Sequence, residues 1–318
     1  MKPLLDEADA SYDFIDNDGP IFYFQTDLNA PRGRIIAIDI RHPERSAWKE
    51  ILPEQEDVIS FVTVVNHQLV MGYLHHAHHQ LKVYDLQGHF LKEIPLPTIG
   101  SIMALSGEKE DHDMFISFTS FTTPSRIYYY DFLSEKMTVF RESALKIDTG
   151  NYEIKQVFYP SKDGTQIPMF LVHQKGLKQN GKQPTLLYGY GGFNLSLTPY
   201  FSVSLLHWLE QGGVYAVANL RGGGEYGENW HQAGMLEKKQ HVFDDFIAAA
   251  EWLIQNKYTQ PSQLAIQGGS NGGLLVTACM VQRPDLFGAV VGQVPLTDML
   301  RYHHFTVGRY WIPEYGNP

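Results

Sequence analysis

Through the first 150 residues the apolar positions fall in short runs divided by polar turns. "IFYFQTD" (21–27), "RIIAIDI" (34–40), "QLVMGYL" (68–74), "QLKVYDL" (80–86), "DMFISFT" (113–119) and "RIYYYDF" (126–132) are rich in β-branched and aromatic residues. Runs of that composition read as strands. Three of them end alike, as IAIDI, KVYDL and YYYDF, which sets Asp39, Asp85 and Asp131 at a constant spacing of 46 residues. A period of about 40–50 residues in an all-β region is the mark of propeller blades. Three blades are too few to close a ring, so residues 1–147 are expected to form part of a propeller.

Near Asn151 the pattern changes. "YEIKQVFYPSKDGTQIPMFLVHQKG" (152–176) reads as a hairpin turning at Asp163-Gly164. Strands and helices then alternate. "PTLLYGY", "GGVYAVANL", "LAIQ" and "AVVGQV" have strand character. "FSVSLLHWLEQ", "HVFDDFIAAAEWLIQN" and "LLVTACMVQR" carry apolar residues at helical spacing, the last stopped by Pro284. Such alternation predicts an α/β domain over 148–318, with a mostly parallel sheet covered on both faces.

Composition narrows the class. The 318 residues are 43% hydrophobic, enough for packed cores, and no run approaches a membrane-spanning length. A net charge of −10 argues against a nucleic-acid or anionic-membrane partner. The single cysteine, Cys279, excludes an internal disulfide framework and reads as a buried, inert thiol. The opening "MKPLLDEADASYDF" lacks the apolar core of a signal peptide, which points to the cytoplasm.

"QGGSNGGLLV" (267–276) sets Ser270 between two pairs of glycines, after a strand and before a helix. In that context Gly268-x-Ser270-x-Gly272 fits a nucleophile elbow, a sharp turn that holds a serine at a strand end and at the positive end of a helix. A glycine-rich turn without chemistry is the plainer alternative. A nucleophilic serine needs a base and an orienting acid, which in α/β-hydrolases follow it in chain order. Only 48 residues remain, with Asp285, Asp298, His303 and His304 among them. Asp285 reads as a turn residue, and the two histidines lie too close behind Asp298 to reach from a separate strand. The catalytic Asp and His are therefore expected to lie outside this sequence.

Five motifs in order, "YGYGGFN" (188–194), "NLRGGGEYG" (219–227), "GGSNGG" (268–273), "QRPDLFG" (282–288) and "YWIPEYG" (310–316), resemble the prolyl oligopeptidase family of proline-specific serine peptidases. The resemblance implies a seven-bladed propeller before an α/β-hydrolase domain. It makes Ser270 the nucleophile, with the Asn271 N–H and the Tyr190 hydroxyl as the oxyanion hole. It also makes Trp311 the stacking surface for a substrate proline, with Phe193, Tyr315 and, more loosely, Leu296 lining the pocket. Tyr190 packing under its loop, and Trp311 and Tyr315 as core aromatics, remain alternatives. The family's chain starts upstream and continues past this C-terminus, so these residues resemble an internal section, incomplete at its C-terminal end. A periplasmic location therefore stays open. The implied activity is endopeptidase cleavage of short peptides after proline, through an acyl-enzyme, by a monomer without cofactor or metal. This stretch alone is expected to be inactive. A dipeptidyl or acylaminoacyl peptidase, and a non-catalytic peptide- or partner-binding remnant, are the rival readings.

Other features read as structural. Gly222-x-Gly224-x-x-Gly227 matches a dinucleotide fingerprint but precedes "ENWHQAG", which opens no amphipathic helix. Its glycines are expected to turn a loop beside the site, with Arg221 and Glu225 as a buried pair. His75, His76, His78 and His79 are expected in a turn between strands, without metal. Asp244 and Asp245 are expected to start a helix, where acids favour its dipole.

Overall fold

The computed structural model describes residues 4–145 and 148–318. The chain divides into two compact units, Met1–Leu145 and Lys146–Pro318. The expected boundary after residue 147 falls on residues outside those described.

The first unit is three four-stranded antiparallel sheets, each with its strands in sequence order. They comprise β1 (Tyr12–Asp18), β2 (Ile21–Thr26), β3 (Arg34–Asp39) and β4 (Lys49–Leu52); β5 (Val58–Val65), β6 (Gln68–His75), β7 (His78–Tyr84) and β8 (Phe90–Ile94); and β9 (Ser101–Ser106), β10 (Asp113–Thr119), β11 (Arg126–Asp131) and β12 (Lys136–Arg141). These are blades of a partial propeller. The six runs marked by composition are the second and third strands of each blade. Ile35, Leu52 and Ile59 pack with Leu69, Met71 and Tyr73 between the first and second sheets, and Val70, Leu81 and Val83 with Met114, Ile116 and Phe118 between the second and third.

The 46-residue repeat has a local cause. Asp39, Asp85 and Asp131 each close a third strand, and one carboxylate oxygen accepts the N–H two residues on, from Arg41 at 3.0 Å, Gln87 at 2.9 Å and Leu133 at 2.9 Å. Each aspartate thus makes an Asx-turn that starts the connection to the fourth strand. The histidine cluster forms the turn between β6 and β7, with His76 and Ala77 both at positive φ, as a two-residue hairpin loop requires. His75 bonds to Asp57, while His79 is buried, accepts the Ile102 N–H and is pushed down to about 4 by desolvation.

The second unit holds β13 (Tyr152–Pro160), β14 (Gln166–Gln174), β15 (Thr185–Tyr188), α1 (Val203–Glu210), β16 (Val214–Ala218), α2 (Glu228–Gln232), α3 (Lys239–Gln255), β17 (Leu264–Gly269), α4 (Asn271–Gln282), β18 (Ala289–Gln293) and α5 (Ile312–Tyr315). Its sheet runs β13-β14-β16-β15-β17-β18, parallel from β16 to β18 and antiparallel at the hairpin end. This is an α/β-hydrolase portion. Strand order reverses about β15, which has β16 on one side and β17 on the other. Ligand sites in such sheets form at the carboxyl ends of strands flanking that switch. No helix among the described residues is long and apolar enough to cross a membrane.

α3 buries Val242, Phe246, Ala249, Ala250 and Leu253 against the sheet at helical spacing, and Asp245 lies on the same stripe, fully buried. This corrects two expectations. The helix begins at Lys239, so Asp244 and Asp245 sit in its second turn and do not cap its dipole. Asp245, not Glu225, is the buried partner of Arg221: the guanidinium lies 2.6 Å and 3.0 Å from its two carboxylate oxygens and 2.5 Å from Asp163 in the β13–β14 turn. Ser161 Oγ donates to Asp245 as well. The hairpin turn, the end of β16 and α3 are tied at one charged node. Removing one partner of a buried pair strands the other charge, at a cost of about 3–5 kcal/mol. Asp245→Ala is expected to lose stability on that scale, read as a lower denaturation midpoint.

Candidate active site

β15 and β17 pair in parallel, Tyr188 beside Gln267, so the loops that leave them run side by side. Ser270 is the first residue beyond β17 and the N-cap of α4, with φ 57° and ψ −116°. That left-handed backbone in a non-glycine residue is strained. Its neighbours hold it: the Ser270 N–H donates to Gln293 O at 2.9 Å, and its carbonyl accepts the N–H groups of Gly273 and Leu274. The flanking glycines serve close approach. A Cβ on Gly268 would lie 2.2 Å from Gly272 O, one on Gly272 2.6 Å from Gly189 O, and one on Gly273 2.7 Å from the Pro295 Cα. Gly269 has open space by comparison, its nearest contact being 3.8 Å.

Asn271 opens α4, so its N–H belongs to the first-turn amides that have no intrahelical acceptor. Tyr190 is half-buried, and desolvation raises its phenol pKa above the ordinary tyrosine value, opposed by its interaction with the Ser270 side chain. Among the described residues no histidine or carboxylate hydrogen-bonds to the Ser270 hydroxyl. Asp298 pairs with Arg301 and Asp285 with Arg283, which lowers both carboxyls. His303 and His304 lie against each other with their rings tilted by 42° and the ring centres 3.9 Å apart.

The Asn271 side chain braces the site. Its Nδ2 donates to Tyr190 O at 2.6 Å, and its Oδ1 accepts the Tyr315 hydroxyl at 2.8 Å. Tyr315 meets Phe193 edge to face, with ring centres 5.5 Å apart, and burial pushes its phenol pKa far up. Trp311 ends a short helical turn that runs directly into α5 and is half-buried. Ser270, Asn271, Tyr190, Tyr315 and Phe193 are thus linked by direct contacts. Trp311 is brought near them by chain continuity with Tyr315. Leu296, half-buried in the loop after β18, is joined to them by no hydrogen bond or ring contact among the described residues. A cavity of about 500 Å³ lined by Lys162, Asp244, Glu251 and Arg283 shares no residue with this cluster.

Gly222 and Gly224 lie against this loop: a Cβ on Gly222 would be 2.8 Å from Gly191 O, and one on Gly224 2.5 Å from Asn194 O. Only the five-residue α2 follows them, so the dinucleotide resemblance ends at the pattern. Glu225, 1% exposed, sits apart from Arg221, accepting from the Leu197 N–H at 2.9 Å and from Asn219 at 3.2 Å. Its second oxygen is buried without a partner among the described residues.

Sequence reasoning passed over Glu314, His231 and Lys239, which form a buried charged cluster beside Phe193 and Tyr315. A carboxylate between apolar and aromatic residues in "YWIPEYG" is the signal that could have found it.

The sequence model described as "Prolyl oligopeptidase family" matches residues 199–318, and that for its N-terminal β-propeller domain matches 1–143. The chain belongs to the prolyl oligopeptidase family. It is 43% identical to the prolyl endopeptidase of Elizabethkingia meningoseptica across 99% of this chain and 44% of that protein. A solved structure from a study of two prolyl endopeptidases superposes with a TM-score of 0.93 at 50% identity, over 99% of this chain and 46% of the other. Prolyl oligopeptidase B of Galerina marginata, solved with a 25-residue macrocyclization substrate, gives 0.93 at 37% identity, over 100% and 45%. The chain therefore spans less than half the length of these relatives.

Burial raises the Glu225 carboxyl to about 7. Between its unfolded value of 4.5 and about 7 the unfolded chain releases this proton before the folded one does, so stability falls as pH rises through that window. Glu225→Gln removes the ionisation. It is expected to be more stable than wild type at pH 8, by up to roughly 3 kcal/mol, and to show little gain at pH 5. Thermal unfolding at the two pH values checks this.

Proposed function

We propose that these residues form the nucleophile, oxyanion hole and proline-binding wall of a serine endopeptidase that cleaves short peptides on the carboxyl side of proline. The observation that carries this is Ser270, strained at the strand–helix turn with the Asn271 amide beside it and the Tyr190 loop tied to Asn271 alongside. In the reaction Ser270 Oγ attacks the carbonyl that follows the proline ring, and an ester bond to the enzyme forms as the amine leaves. Tyr190 O–H and Asn271 N–H donate to the oxygen that becomes negative in the tetrahedral state. Trp311, Phe193 and Tyr315 offer the flat proline ring an aromatic wall, against which little rotamer entropy is lost. Leu296 adds apolar surface at the rim. The proposal assigns 1–147 to the partial propeller and 148–318 to the catalytic portion. Its substrates are proline-containing peptides, its chemistry requires no cofactor, and it works as a cytoplasmic monomer. The base and its orienting acid are contributed by residues other than these 318.

A second reading, a peptide-binding protein without catalysis, is favoured by one observation. Among the described residues the Ser270 hydroxyl has no histidine partner, and Asp298 is held by Arg301.

A 13C-labelled N-blocked glycyl-prolinal tests both readings, because a serine hydroxyl held beside its aldehyde adds to it as a hemiacetal, an equilibrium that a general base speeds but does not shift. The adduct signal is expected with this chain and should vanish in Ser270→Ala. Tyr190→Phe should weaken the adduct about 100-fold, the usual scale for one oxyanion donor. Turnover of an N-blocked Gly-Pro anilide by the 318 residues should be negligible. Prolinal bound without an adduct would favour the binding protein. An adduct that survives Ser270→Ala would exclude Ser270 as nucleophile.

A further inference from the structure

The two segments that carry the candidate pocket are joined by charge. Glu314 is 4% exposed; its Oε2 lies 2.8 Å from His231 Nε2 and its Oε1 3.3 Å from Lys239 Nζ. Lys239 Nζ donates to the Gly191 carbonyl at 2.8 Å and stands 5.4 Å from the centre of the Tyr315 ring. On its far side His231 meets Glu228 at 3.2 Å. The loop backbone lies against this group, since a Cβ on Gly192 would fall 2.9 Å from Glu314 Oε1 and 2.6 Å from Asn271 Nδ2.

Stability alone does not account for such a cluster. Taking charges out of water is costly, and well-packed apolar residues of the same volume often stabilise as much or more. Charge-assisted hydrogen bonds add direction: each fixes one donor to one acceptor at short range. Here the directed contacts end on the backbone at Gly191 and, through the lysine, on the Tyr315 ring. Both belong to the segments that meet at the proposed proline wall.

We propose that Glu314 is a positioning residue. Held between His231 and Lys239, its carboxylate fixes the 190–193 loop against the 311–315 turn and so sets the spacing of Phe193 and Tyr315. The inference rests on the pocket reading above and assigns Glu314 no contact with substrate.

Glu314→Gln keeps the size of the side chain and an acceptor oxygen while removing the charge, and the 318-residue chain suffices for the test. Amide exchange at Gly191–Phe193 should quicken at least 10-fold, with protection in β15, β16 and β17 unchanged. The His231 ring, raised chiefly by Glu314 against desolvation and with help from Glu228, should titrate lower in the variant when followed by NMR. Binding of N-acetyl-Gly-Pro amide should weaken at least 10-fold, and Glu314→Asp, which restores the charge, should recover part of each effect. Should Glu314→Gln fail to fold, Lys239→Gln removes the other charge and should loosen the same amides.

Unchanged exchange at 191–193 overturns the proposal whatever the peptide does. Faster exchange with unaltered peptide affinity also overturns it, because the cluster would then brace the fold without shaping the wall. If wild type and Trp311→Ala both leave the amide unbound, the pocket reading fails; exchange at 191–193 then decides alone whether Glu314 positions the loop.

Discussion

A left-handed serine at the end of a strand is held at a cost on the order of 1–3 kcal/mol, and it persists only where its surroundings over-determine it. Around Ser270 they do. β18 takes its N–H through Gln293, α4 takes its carbonyl, and three glycines let Gly189, Gly272 and Pro295 come within distances that no side chain would permit. The parallel pairing of β15 with β17 then lays the Tyr190 loop alongside, so that the Asn271 side chain reaches back to the Tyr190 carbonyl. The geometry of the whole cluster follows from that one backbone conformation and from the sheet that enforces it.

Charge organises what lies behind the cluster, at two depths. Arg221 and Asp245 tie the hairpin turn to α3 in the interior, while Glu314, Lys239 and His231 face the loop itself. Glu225 belongs to neither group. It shares its pocket with Asn219 and keeps one oxygen unbonded, an arrangement suited to a neutral carboxyl more than to an anion.

Much of this architecture could be read before any coordinates. β2, β3, β6, β7, β10 and β11 are the central strands of their sheets and carry most of the buried apolar positions, so their apolar density is high. β4, β8 and β12 are edge strands with exposed positions, and "KEIL", "FLKEI" and "KMTVFR" carry charged residues that thin the apolar signal. The run "VISFVTVV" of β5 carries the same signal as the central strands and still went unmarked. Ser270 announced itself because close approach leaves glycines in the sequence. The Arg221–Asp245 pair did not, because its members stand 24 residues apart and the helix begins earlier than its apolar pattern. The role of Glu314 is likewise non-local, made by residues from three different helices.

The aspartates at 39, 85 and 131 each satisfy a backbone donor only two residues away. Such a turn needs no help from a neighbouring sheet. Every blade therefore holds the instruction for its last reversal within its own stretch of chain, and its four strands pair in sequence order. Assembly dominated by contacts of short sequence separation is fast by the measure of contact order. It is also modular, as in repeat proteins whose units interact chiefly with their nearest neighbours. A blade can take shape as it emerges during synthesis, leaving only the burial of apolar faces between sheets to wait for the next one.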